Sequence, residues 1–109
     1  MIYTNKSVIL IIDSTDNQKT IVGIDINHKK DNIIKKTNVW TSQVLLPAIE
    51  ELLVKNDLSL EDLTQIKVKR GPGSFTGIRV GLSVANALGK MLNIPVNGRK
   101  NNVVLPVYD

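Results

Sequence analysis

The chain has 109 residues, 42% of them hydrophobic and 22% charged, with a formal net charge of +4; this balance excludes a disordered chain, and a single domain with one core, rather than a two-lobed enzyme, is expected. It has no cysteine and a single histidine, His28, which excludes a disulfide framework, a thiolate nucleophile and a Cys- or His-built zinc site. Four aromatics, Tyr3, Trp40, Phe75 and Tyr108, leave the core to Ile, Val and Leu and provide no stacking platform for single-stranded nucleic acid.

The first element in chain order is "SVILIID", residues 7–13, a β-branched run read as a buried strand and followed by the polar turn "DSTDNQ". It is too short to cross a bilayer or to serve as a secretory h-region, so a cytoplasmic protein with no membrane association is expected. A second strand resumes at Thr20 with Val22, Ile24 and Ile26 on one face. "NHKKDN" reads as the next turn and "IIKK" as a short third strand, completing an antiparallel meander. From Ser42 to about Lys55 the period becomes helical, through Leu45, Ile49 and Leu52. Thr41 or Ser42 is the candidate cap, Trp40 a candidate packing anchor at the entrance, and Pro47 a candidate kink. "LSLEDL" is a short turn capped by Ser59 with Asp62 three residues on.

"QIKVKR" then reads as a strand, a second helix runs to about Leu92, and "IPV" and "NVVLPVYD" offer short strands. Most strands after the first carry a polar face, which implies a sheet open on one side. The expected fold is α/β, with a mixed five-stranded sheet, three strands antiparallel and two parallel, and two main helices on one face.

Five of the seven glycines lie in "KVKRGPGSFTGIRVGLSVANALG", residues 67–89. Gly71 and Gly73 precede a helix whose free first-turn amides suit an anion, which makes Asp13, Ser14, Thr15, Gly71, Gly73, Ser74, Thr76 and Arg79 the candidate anion or nucleotide contacts. A tight strand-to-helix turn with no ligand explains the same glycines. Ser74 and Thr76 read first as caps, and Phe75 as a pin holding the loop on the core. Arg79 opposes the helix dipole and needs an acidic neighbour; Asp13 fills that role if the fourth strand lies parallel beside the first. Gly77, Gly81, Ala85 and Gly89 form a stripe without bulk, along which the chain's own first helix or sheet, or a helix of another subunit, can approach closely, and one internal and one external contact are expected. With Ile78, Leu82, Leu45 and Ile49 this stripe is the expected partner interface, so that Gly81→Leu should abolish assembly in a folded domain. No catalytic residue and no metal ligand set is assigned. A solvated basic face is the first reading of Lys67, Lys69 and Arg70, and contact with tRNA the second.

"RGPGSFTGIRVGLSVANALG", supported in the same order by "ILIIDST", "SQVLLPAIEELL" and "LSLEDLTQIKV", resembles the signature of the TsaB (YeaZ) family of tRNA threonylcarbamoyladenosine biosynthesis proteins. The resemblance implies a lobe similar to the actin-like ATPases and ribonuclease H. It implies a non-catalytic scaffold that binds the catalytic subunit TsaD through a helix bundle, with the ATPase TsaE as third component. It also implies a homodimer when alone, indirect contact with tRNA, and no cofactor apart from ATP or ADP at a subunit interface. The alternatives are a nucleotide-binding actin-like ATPase fragment and a ribonuclease H-like nuclease. Family members usually carry a second lobe, so residues 1–109 are expected to be a single N-terminal lobe, with the second absent or truncated. Thr41 stands where the family tends to have histidine, and the first loop reads "DSTD" where the family favours a run of Thr and Ser.

Overall fold

The computed structural model describes residues 6–36, 41–100 and 103–107; Trp40, and the Thr41 and Ser42 side chains expected to cap the first helix, lie outside what is described. Three strands open the chain, β1 (Val8–Asp13), β2 (Lys19–Ile26) and β3 (Lys29–Lys36), followed by helix α1 (Thr41–Lys55), strand β4 (Gln65–Val68) and helix α2 (Phe75–Leu92). The sheet order is β3-β2-β1-β4. β1 and β2 pair antiparallel, as do β2 and β3, while β4 lies parallel beside β1. β1 is therefore central, which explains its unbroken apolar run: Val8, Leu10 and Ile12 are fully buried, and Ile9 and Ile11, on the other face, are half-buried.

The β2–β3 turn is tighter than the sequence suggested. Asn27 and His28 both take positive φ, 50° and 76°, so a two-residue turn joins the strands and β3 starts at Lys29. The Asp25 carboxylate accepts the His28 amide at 2.8 Å and fixes the turn.

Leu45, Ile49 and Leu52 of α1 and Ile78, Leu82, Ala85 and Leu88 of α2 complete the core begun by β1, Val22, Ile24 and Ile66. α1 packs on β2 and β3, α2 on β4 and β1, and the helices touch each other. Pro47 lies inside α1, not in its first turn, and removes one intrahelical hydrogen bond. Both helices end in the same way. Asp57 and Asn93 adopt left-handed φ, and the Leu58 and Ile94 amides reach back to the Leu53 and Gly89 carbonyls at 2.8 and 3.0 Å.

The described sheet has four strands, not five. Ile94–Val96 contributes a single parallel bridge, Ile66 with Val96, because Asn97 and Gly98 turn left-handed and Val96 pairs back on Arg99. The Asn97 side chain stands in for the missing strand: Oδ1 accepts the Val68 amide at 2.8 Å and Nδ2 donates to the Val68 carbonyl at 3.0 Å. Residues 103–107 form no strand either and lie against α2 at Asn86.

Candidate functional site

Because β1 and β4 are parallel neighbours, their carboxyl ends bring the Asp13-Ser14-Thr15 turn and the loop before α2 to one sheet edge. Gly71 and Gly73 have φ of 129° and 151°, a region that side chains resist. Their bare backbones matter as well, since a Cβ on Gly73 would strike the Thr15 carbonyl and one on Gly71 the Val107 carbonyl. The Ser74 amide donates to the Thr15 carbonyl at 2.6 Å. The Ser74 hydroxyl caps α2 by accepting the Gly77 amide at 3.2 Å. Ser14, fully buried, donates from its Oγ to the Gly77 carbonyl at 2.7 Å.

Asp13 accepts the Thr15 hydroxyl at 2.6 Å and the Thr15 amide at 3.1 Å, and its other oxygen pairs with Lys69 at 3.4 Å. Burial pushes this carboxyl up, but the Thr15 hydroxyl and amide and the Lys69 ammonium outweigh it and hold it below the ordinary aspartate value. The sign is then fixed: the stabilisation is complete above the unfolded-state pKa and is lost as pH falls through the lower folded-state value. Thermal unfolding between about pH 6 and pH 2 should show a smaller acid-induced drop for Asp13→Asn than for the parent chain, by about 1 kcal/mol or less because Lys69 is solvated. Identical acid profiles would contradict this assignment.

The structure thus gathers six of the eight candidate anion contacts, Asp13, Ser14, Thr15, Gly71, Gly73 and Ser74, but largely turns them toward each other. The Ser74 and Gly77 amides already have protein acceptors, and Asp13 adds negative charge. Thr76 and Arg79 point away and are exposed. Asp13 is not the partner of Arg79; the guanidinium lies 5.1 Å over the Phe75 ring. Phe75, 56% exposed, does not pin the loop to the core. Asp25, the second carboxylate a nuclease would need, sits opposite Ile9 rather than near Asp13, and among the described residues no three His, Cys, Asp or Glu side chains cluster. Of the cations considered for tRNA, Lys69 is held by Asp13, and Arg70 donates to the Leu105 carbonyl at 2.7 Å.

The expected partner interface needs a larger correction. Gly77, Ile78, Gly81, Leu82, Ala85, Gly89, Leu45 and Ile49 are all buried within the chain itself. The glycine stripe faces inward. A Cβ on Gly77 would meet the Ser14 carbonyl, one on Gly81 the Ser14 Oγ, and one on Gly89 the Val96 side chain, each well inside van der Waals contact. The close approach that a bare ridge permits is used by the end of β1 and by Val96, not by another molecule.

Displaced by two residues, the opposite stripe of α2 faces outward. Phe75, Arg79, Ser83, Ala87 and Met91 recur every fourth residue and are all exposed. Phe75, Arg79 and Ser83, with Thr76, Val80 and Val84 beside them, shape a shallow cleft of about 450 Å³. On α1, Leu46 and Val54 are 51% and 68% exposed. The signal lay in the sequence, since apolar and small residues occupy both faces of α2, and only one face can meet the core. No helix among the described residues is long and apolar enough to cross a membrane.

Residues 40–99 match the family model described as TsaD, tRNA N6-adenosine threonylcarbamoyltransferase. The protein TsaB of Buchnera aphidicola subsp. Baizongia pistaciae is 39% identical over 82 residues, 73% of this chain and 37% of the relative. TsaB of Bacillus subtilis is 36% identical over 76 residues, 59% of this chain and 33% of its own length. The solved structure of YeaZ from Pseudomonas aeruginosa superposes with a TM-score of 0.77 at 27% identity, covering 94% of this chain and 45% of that one. The chain therefore spans about a third of the curated relatives it matches and under half of the solved structure.

Proposed function

Because the chain belongs to the family that this model describes, and within it to the TsaB (YeaZ) group, we propose that it takes part in making threonylcarbamoyladenosine in tRNA, as a non-catalytic partner of the transferase TsaD. The observation that carries the docking part is the outward face of α2, where Phe75 and Met91 are 56% and 66% exposed around Val80 and Val84. Exposed apolar side chains on a helix whose other face is already satisfied cost solubility unless a partner covers them. Arg79 over Phe75 supplies the kind of aromatic and arginine pair on which interface energy concentrates.

In this reading the seam at Asp13, Ser14 and Ser74 fastens α2 to the sheet and so holds its outer face in place. The chain contributes no reacting group and no nucleotide site of its own, and the same face pairs two copies when the partner is absent. TsaE joins the assembled pair.

The test is titration of the cognate transferase with purified variants. Val80→Asp/Val84→Asp should weaken binding by at least about thirtyfold, the loss expected at a hot spot, and reduce tRNA modification in step, with circular dichroism and melting temperature close to the parent's. Lys29→Ala on the far edge strand serves as control and should bind normally. Unimpaired binding by the double variant would remove the docking proposal.

A further inference from the structure

We infer that residues 103–107 form a releasable strap over α2, clasped by Asn86 and Arg70 and opening as one unit without the core.

The geometry is that of a held peptide rather than an integral strand. Val104 is gripped from both sides of its backbone by one side chain, its amide donating to Asn86 Oδ1 at 3.0 Å and its carbonyl accepting from Asn86 Nδ2 at 2.9 Å. Two further bonds tie the strap to Arg70, two residues beyond β4: the Leu105 carbonyl accepts Arg70 Nε at 2.7 Å, and the Val107 amide donates to the Arg70 carbonyl at 2.8 Å. Alternation does the rest. Val104 points in and is 4% exposed, whereas Val103 and Leu105 on either side are 65% and 63% exposed. Among the described residues, a single buried anchor and four hydrogen bonds, three of them to side chains, thus hold these five.

Clefts flank the clasp. One of about 400 Å³ runs between the strap and Leu82, Ser83 and Phe75. Another of about 370 Å³ is lined by Gly89, Ile94, Val96 and Val103. The strap is thus undercut on both sides of Asn86, and elements with few buried anchors open ahead of the global transition. Its far end is coupled to the glycine loop, because the Val107 carbonyl occupies the space a side chain on Gly71 would fill. The strap therefore works as a conformational device: closed, it spans from Asn86 to Arg70 and lies over Leu82 and Asn86 of α2; open, it bares those two residues and frees Gly71 on one side.

Native-state hydrogen exchange on the full chain tests this by NMR, with the Val104 and Val107 amides as reporters of the strap. The Ile66 and Ile78 amides, bonded to Pro95 and Ser74 at 3.0 and 2.9 Å, report on the core. Val104 and Val107 should exchange together and at least about tenfold faster than Ile66 and Ile78. Asn86→Ala should accelerate both strap amides by a further factor of about ten, the loss expected for a broken hydrogen bond, with the core amides unchanged. Asn86→Asp, which keeps the acceptor for Val104 and loses the donor, should fall between. Arg70→Ala, on an exposed side chain, should also loosen both reporters and provides the reading if position 86 tolerates no change. Exchange of Val104 at the same rate as Ile66 would overturn the inference, and so would acceleration of Val104 by Asn86→Ala that leaves Val107 untouched.

Discussion

Gly77→Ala is expected to unfold much of the population at temperatures where the parent chain is fully folded, although on helix propensity alone the change should help. Alanine in place of glycine inside a helix is worth up to about 1 kcal/mol in its favour. Against that, the new methyl would collide with the Ser14 carbonyl oxygen, a backbone atom directly after β1 whose residue is fully buried, tied by its Oγ to the Gly77 carbonyl and followed by Thr15, whose carbonyl accepts the Ser74 amide. Neither partner can rotate away, so α2 must lift from the sheet edge. Ser14 Oγ then loses the Gly77 carbonyl, and the N-terminal amides lose their fit to Ser74. Overpacking of this kind costs about 3 kcal/mol or more, a large part of a total stability of roughly 5–15 kcal/mol, and should lower the melting temperature by roughly 10–20 °C.

Gly81→Ala is instructive by contrast. There the obstacle is the Ser14 Oγ, with the Ser14 Cβ already at an ordinary 3.4 Å. Ser14→Ala should therefore restore most of the stability lost to Gly81→Ala and none of that lost to Gly77→Ala. Two double-mutant cycles read by chemical denaturation decide this, and rescue of neither or of both would show that the glycines face something else. Gly81→Leu, expected from the sequence to spare the fold and break only assembly, should instead fail to fold.

Much of the architecture was legible because the local signals agreed with one another. The β1 run of Val, Ile and Leu and the polar turn after it follow from composition and period, while the parallel place of β4 beside β1, entertained from the sequence only as a condition, is what the structure shows. Three features were not legible, each for a physical reason. The Asn27-His28 turn lacks the glycine that usually marks two left-handed residues, so β3 read shorter than it is. The fifth strand was lost to Asn97, whose side-chain amide satisfies both backbone groups of Val68; strand propensity does not encode such a substitution. The glycine stripe was the most deceptive, because a sequence shows that close approach is permitted without showing by what. That the loop residues named as anion candidates would be neighbours was legible, but not their orientation, since the Ser74 amide is taken by the Thr15 carbonyl.

Neighbouring leucines of α1 should separate core from partner surface by experiment. Leu45, expected from the sequence to meet a partner, is fully buried, while Leu46 is 51% exposed. Leu45→Ala leaves a cavity beneath α1 and should cost about 2–5 kcal/mol of stability, with partner affinity retained by whatever fraction remains folded. Leu46→Ala removes no core contact and should shift stability by less than about 0.5 kcal/mol, while weakening capture of the transferase if α1 joins α2 in the docking face. Denaturation and binding titration on the same two variants therefore move in opposite directions. A stability loss at Leu46 equal to that at Leu45 would mean that α1 is turned differently about its axis, and the outer face argued from Leu46 and Val54 would go with it. Normal transferase binding by stable Leu46→Ala would restrict docking to α2, where Val80 and Val84 must then supply the affinity.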